Sequence, residues 1–362
     1  MNKTISTRGI VSVLILSFVA LKMMFLPSLC SANIGKPSFI CVLLMYILEI
    51  VVVIMFLNIS SKSDKTFFET MQIIFGKVVA KILFFIYFIY FTLNTFAVTE
   101  SLFLYLSEHL YFQYNWAQYI FPLFLMIMFV SSTDLSALVR TIQFFIPFII
   151  LSVLLSIFLS SLNCDFSNCL PLFENGLSNS LNIFDYSFWF GDGLIMVLFF
   201  GKIDRKKAIK PIIISIVVMS ILVSFFFLVF YCVFETDTIN NKEAITDVLR
   251  VLPQNSDVVN VNWVITLLWQ LALLVYICLY SYISRIFLEG LFNFHNAKVS
   301  VPIVLIVVLA SLLAINFDMS KLLFFLVKYA KYFAILCHYV LPVIIFITSL
   351  FRLRRKNEKA IC

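Results

Sequence analysis

Apolar residues run through this chain in blocks of about twenty, apolar on every side and divided by short polar breaks. A block of about 20 such residues matches a helix crossing a bilayer. Reading blocks against breaks predicts ten, over residues 9–31, 38–58, 78–107, 116–131, 139–161, 181–201, 209–234, 261–288, 299–317 and 322–351. The third and last exceed a hydrocarbon layer and require tilt or extension beyond it; the fourth is short. Two intervening stretches keep a helical period instead. Residues 66–79 place Phe67, Met71 and Ile74 on one side, as in a helix lying along the inner interface. Residues 240–252 carry an Asn240 cap, an early Glu243, and Ile245, Val248, Leu249 and Leu252 at helical spacing. Both read as surface helices that hold their loops down, the alternative being a moving gate.

Composition agrees with this pattern. Of 362 residues, 62% are hydrophobic and 12% charged, with a mean hydropathy of +1.05. A soluble domain has about 45–50% and about 25%, so an ordinary soluble globular protein is excluded. The fold class is an all-α polytopic membrane protein, one integral membrane domain over 1–362 with a basic tail at 352–362. Ten spans with both termini cytoplasmic put 19 of the 26 basic residues inside, among them Lys62, Lys65, Lys202, Arg205, Lys207 and the tail cluster, and 6 outside. That asymmetry is the positive-inside rule. The net charge of +7 reflects topology and anionic lipid, with no call for nucleic acid.

Soluble-enzyme motifs are absent: there is no GxGxxG, Walker lysine loop, GxSxG or HExxH. The reading is therefore not an enzyme, with no cofactor and no metal site, since His109, His295 and His338 lie in different segments. Cys164 and Cys169 bracket four residues of an outer loop; they are an oxidised pair or two free thiols, and spacing alone does not choose.

Ionisable residues inside spans carry more information, because each costs several kcal/mol unless paired or hydrated. Lys22 lies in the first span just before Met23-Met24-Phe25-Leu26-Pro27. Pro27 cannot donate to the helix ladder, which predicts a break near Met23–Phe25. A break at membrane depth frees backbone groups and is tolerated around a cavity or inside protein. Lys22 there receives a ligand carboxylate, with Met23 and Phe25 beside it, neutralises a carboxylate on a neighbouring helix, or snorkels. In the sixth span, Phe190-Gly191-Asp192-Gly193 sets two glycines beside an acid. Asp192 holds an amine, a coupling ion or a proton, or pairs with Lys22; Asp185, nearer the outer end, reads as a cap. Glu49 and Glu100 are further proton or ion candidates, each of which reads equally as a helix-packing carboxyl. Tyr87 in the third span and Tyr276 in the eighth belong to polar aromatic stripes, and with Phe190 they are candidate walls.

The broken helix is the first of each five-span half, residues 1–161 and 181–351, with an outer loop at 162–180 between them. Interrupted segments at corresponding positions point to an inverted-repeat transporter with a midplane site. At this point the chain resembles the B subunits of bacterial spore germinant receptors, a spore germination permease branch of the amino acid–polyamine–organocation transporters. The resemblance rests on Ile5-Ser6-Thr7-Arg8, Leu26-Pro27-Ser28, Thr66-Phe67-Phe68-Glu69 with Gly76-Lys77, and Arg140 followed by Phe144, Phe145, Pro147 and Phe148. It continues through Leu170-Pro171-Leu172 with Asn175-Gly176-Leu177, Ser187-Phe188 with Gly191 and Asp192, Lys206-Lys207 and Trp269. Two positions depart from it: Gly9 stands where Gln is usual, and Ala20-Leu21-Lys22 replaces a small, Gly-containing stretch. A ligand carboxylate that would meet backbone amides meets Lys22 here, or the pocket is occluded.

The resemblance implies a leucine-transporter-like 5+5 fold with broken helices 1 and 6. It also implies an amino acid or similar germinant, and a complex with A and C subunits in the spore inner membrane. Residue chemistry keeps two other readings open: an autonomous proton- or sodium-coupled amino-acid transporter, and a scaffold that binds partner subunits only.

Overall fold

Pro27 occupies the second position of a helix, where its missing N–H costs nothing and its fixed φ suits a helix start. The first apolar block is therefore two helices, α1 (Thr7–Met24) and α2 (Leu26–Ile34), meeting at Phe25. This computed structural model describes residues 5–63, 65–109, 116–162, 164–174, 176–203, 205–241, 243–251, 256–294 and 296–359. Asn175, Leu252, His295 and the tail beyond residue 359 lie outside the described residues.

After α2 come α3 (Ser38–Ser60), α4 (Phe67–Phe75), α5 (Lys77–His109), α6 (Trp116–Ser131) and α7 (Leu135–Ser161). The sixth block departs from the expected helix. It forms two tight 3₁₀ segments, Leu177–Trp189 and Asp192–Phe199, separated at Phe190-Gly191. Then follow α8 (Arg205–Phe234), α9 (Ala244–Arg250), α10 (Ser256–Phe292) and α11 (Ala297–Ile315). The last block is α12 (Met319–Phe325), α13 (Lys331–Ile335) and α14 (Leu341–Lys359), joined by π-helical turns at Leu326–Ala330 and Leu336–Val340. No strand occurs among the described residues.

Among the described residues, eight helical stretches are long and apolar enough to cross a membrane, the last block (Met319–Arg352) taken as one, and α6 is a shorter apolar helix. Burial sorts them. The apolar window of α1 is 83% buried, whereas that of α11 is 33% buried. So α1 is enclosed by the other helices, and the rim presents large apolar side chains such as Phe129 and Phe144, which suits a lipid solvent.

Helix α4 begins with a capping box: Thr66 Oγ1 accepts from Glu69 N–H, and the Glu69 carboxylate accepts from Thr66 N–H at 3.0 Å. It stops at Gly76, whose φ of +83° suits a residue without Cβ. Phe67, Met71 and Ile74 are buried, as their spacing predicts.

Two local expectations are corrected. The helix expected over 240–252 is shorter. The amides of Asn240 and Asn241 bind Asp237 instead of capping it, while Asp247 accepts from Glu243 N–H at 3.0 Å. Its apolar side, Ile245, Val248 and Leu249, is buried as expected. Asp185 does not cap a helix; its carboxylate lies 2.6 Å from Lys331 Nζ, tying the sixth block to α13. Asp185 lies inside the 3₁₀ segment Leu177–Trp189 and not at a helix start, so the free N–H groups that a cap would bind are out of its reach.

Candidate functional site

Lys22 sits in the last turn of α1, immediately before the break, and is fully buried. Its ammonium lies 3.1 and 3.3 Å from the Glu49 carboxylate oxygens on α3, and 2.6 Å from Asp192 Oδ2 in the sixth block. The sequence leaves the pairing of Lys22 with Asp192 open; the structure brings them together, and adds Glu49. Three rings surround the ammonium, with centroids 4.7 Å (Phe18), 4.6 Å (Tyr46) and 4.9 Å (Phe190) away. Tyr46 is held in that position because its hydroxyl donates to the Phe18 carbonyl at 2.5 Å.

Asp192 is satisfied from its other side. Tyr280 donates to Oδ1 at 2.5 Å and Tyr276 at 3.4 Å, and the two rings stack 4.4 Å apart on α10. Burying an ion costs several kcal/mol, which close pairing and further hydrogen bonds offset. Here one ammonium serves two carboxylates. The cluster therefore has one more acid than base, and it holds either an excess negative charge or one proton.

Gly191 makes the approach possible. A Cβ built there would overlap the His338 ring and lie 2.5 Å from the Tyr90 hydroxyl. A Cβ on Gly193 would lie 3.2 Å from the Glu49 carbonyl and from Val53. The two glycines thus let the sixth block press against α5, α3 and the last block. Gly191→Ala is expected to cost about 1–3 kcal/mol through overpacking. Adding His338→Ala should recover part of that loss, because the overlapping atoms are then gone. Thermal midpoints of the two single variants and the double variant check this; simple additivity would contradict the packing.

His338 is the residue that sequence reasoning missed. It is 2% exposed, in the π-helical turn of the last block, edge-on to Tyr90 with ring centroids 4.7 Å apart. The backbone of Ser187 and Phe190 lies beside it. The available signal was an ionisable residue inside a span, which metal-ligand spacing does not detect. Its π-turn is a distortion often found at functional sites.

The other candidates separate. Met23 and Phe25 are buried at the break. Tyr276 joins the cluster through Asp192. Tyr87 lies in a different layer: it packs on Phe67 and Phe287 and donates to the Cys337 carbonyl at 3.4 Å. Glu100 is buried on α5, ten positions beyond Tyr90 and so about 15 Å along the helix.

The charge cluster is tightly packed, and the cleft between Glu49, Gly191, Gly193 and His338 has no room for a water molecule. A cavity of about 390 Å³ lies elsewhere, lined by α4, the end of the sixth block and α10, including Glu69, Gln72, Lys202 and Glu289. Between the two stands a run of rings. Phe67 meets Phe287 at 6.0 Å, Phe287 stacks on Phe91 at 5.5 Å, and Phe91 meets Tyr280 at 5.7 Å.

A family model described as spore germination protein matches residues 4–320, which include both helix breaks and the whole cluster apart from His338. The chain belongs to the spore germination protein family. No curated protein matches it. Among solved structures it is similar to the Eremococcus coleocola manganese transporter. The crystal structure with an aromatic bis-isothiourea substituted compound gives a TM-score of 0.62 at 13% identity, covering 96% of this chain and 84% of that one. A mutant of the same transporter gives 0.61 at 13% identity with the same coverage. At this identity the likeness concerns the fold. This spore germination protein is thus a membrane permease-like chain with a transporter fold, whose two interrupted segments enclose a lysine and two carboxylates.

Proposed function

We propose that this spore germination protein is a permease-like subunit that binds a small nutrient germinant, an amino acid or close relative, at the breaks of its first and sixth spans. The frame is ten spans in two inverted five-span halves, with both termini cytoplasmic in the spore inner membrane. The signal passes to partner A and C subunits. One observation carries the reading: two helix interruptions far apart in the chain converge on a buried site containing an ammonium and two carboxylates.

In this reading the described conformation is closed, with Lys22 occupying both acids. A zwitterionic ligand carries the same two charges. Its ammonium takes over Asp192 or Glu49 while its carboxylate takes over Lys22, so the net charge of the buried cluster is unchanged by binding. Phe190 and Tyr276 are walls, and the 390 Å³ cavity behind the aromatic run is a vestibule on the side of α4.

A second reading is an autonomous proton- or sodium-coupled transporter. The observation favouring it is the extra carboxylate, which suits a titrating proton or a coupling cation.

Thermal stability of the detergent-purified protein against amino acids, sugars and nucleosides tests the proposal. A ligand at about 100 times its dissociation constant should add about 2.7 kcal/mol to the folded state. A selective shift abolished by Lys22→Met supports germinant binding, and uptake by the protein alone under an ion gradient would move the conclusion to the transporter. No shift in folded protein, with and without partner subunits, would overturn binding and leave a scaffold.

A further inference from the structure

At the far end of the molecule from α4, three cysteines gather around the loop that precedes the sixth block. Cys169 ends a short 3₁₀ turn, Phe166–Cys169, and Cys232 lies in the last turn of α8. Their sulfurs are 2.8 Å apart, both buried, and Cys164 packs against the same cluster. The surroundings hold this approach in place. Asn168 Nδ2 donates to the Cys232 carbonyl at 3.1 Å, Lys36 donates to the Leu170 carbonyl at 2.8 Å, and Lys36 also pairs with Glu174 at 2.7 Å. Spacing leaves Cys164 and Cys169 open as a pair or as two free thiols; the fold instead sets Cys169 against Cys232.

We infer that Cys169 and Cys232 form a disulfide that latches this loop to the end of α8, with the more accessible Cys164 as the thiol through which the bond is made and exchanged. The hydrogen bond from Cys232 lowers the pKa of Cys169, whereas burial raises that of Cys164, so the exchange role of Cys164 rests on its access. The oxidant is a small-molecule or protein disulfide on the face opposite the basic one. Cys164 thiolate attacks it, forming a mixed disulfide and releasing one thiol. Cys232 attacks the Cys164 sulfur and releases the second. Cys169 then attacks the Cys232 sulfur, returning Cys164 as a thiol. Two protein thiols are oxidised, one external disulfide is reduced, and the two protons end on its two thiols.

The latch bears on the site described above. The segment after Cys232 includes Thr238, whose carbonyl accepts from Ser28 on α2 at 2.6 Å. The bond would therefore stiffen the elements that hold the outer half of the broken first span.

The test is peptide mapping of the full-length protein, purified in detergent without reductant and alkylated with N-ethylmaleimide under denaturing conditions. The expected result is a Cys169–Cys232 linked peptide in most molecules, lost after dithiothreitol. Cys169→Ser should move the link to Cys164–Cys232, and Cys164→Ser should keep the original link but slow its re-formation with oxidised glutathione. Maleimide on all three cysteines even after oxidised glutathione, or a dominant Cys164–Cys169 link, would overturn the inference. Because the wild-type measurement stands alone, a serine variant that fails to fold does not affect it.

Discussion

Lys22→Met should be among the most damaging single substitutions in this protein, lowering its stability by about 3–5 kcal/mol, the range for removing one partner of a buried ion pair. Methionine preserves the length and apolar stem of the side chain, so the loss comes from charge. Glu49 and Asp192 would face each other in a fully buried site, with only the hydroxyls of Tyr276 and Tyr280 to satisfy Asp192. Neutralising both acids as well, in Lys22→Met with Glu49→Gln and Asp192→Asn, should restore most of the stability, since uncharged groups of similar volume replace a buried charge cluster with little penalty. Among the single acid variants, Asp192→Asn should cost more than Glu49→Gln, because the ammonium lies 2.6 Å from the first and 3.1 Å from the second. Thermal midpoints of the four variants and the wild type in detergent check the series. A Lys22→Met midpoint equal to that of the wild type would show that the ammonium does not neutralise these acids. Stability restored in the triple variant without ligand response would separate the structural role of the cluster from its binding role.

Phe67→Ala should be comparably severe. The side chain is 1% exposed and is ringed by Phe56, Phe84, Tyr87, Phe200 and Phe287, with centroids 5.2–6.5 Å away. Truncating a buried Phe costs about 3–5 kcal/mol, from lost contacts and from the cavity left behind. This cavity would also adjoin the existing 390 Å³ space and thin the aromatic layer that separates it from Tyr280 and Asp192. Phe67→Leu should keep much of the stability, because it leaves a smaller void. Two measurements distinguish packing from gating. The thermal midpoint should fall in the order wild type, Leu, Ala, and a cysteine placed at Val197, on the cavity wall, should react with a polar thiol reagent faster in the Ala variant. An unchanged midpoint would mean that α4 is not anchored through this ring.

Legibility from the chain differed among these residues for physical reasons. The breaks at Phe25 and Gly191 were readable because Pro27 removes a donor and the glycines remove side chains, and both effects act within one helical turn. The anchoring face of α4 was readable because Phe67, Met71 and Ile74 repeat at helical spacing. Glu49 was only a weaker candidate, since a carboxyl on an apolar helix reads the same whether it meets a lysine or packs alone. His338 is hard to read because a single histidine in an apolar block carries no spacing that separates a packed ring from a functional one. Tyr87 was grouped with Tyr276, although one points to the inner aromatic layer and the other to Asp192. Helix rotation decides that difference, and a polar aromatic stripe does not say which neighbouring helix it faces.

The chain by itself therefore determined that this is a polytopic helical membrane protein, that its first and sixth apolar blocks are interrupted, and that Lys22, Glu49 and Asp192 lie inside apolar blocks. Those are consequences of local backbone chemistry and of the cost of charge away from water. Only the tertiary structure decided that Lys22 reaches Glu49 and Asp192 together, that Gly191 yields its space to His338, and that Cys169 meets Cys232 rather than Cys164. Such pairings join residues on separate helices, and they depend on how those helices rotate and pack rather than on any pattern within one segment.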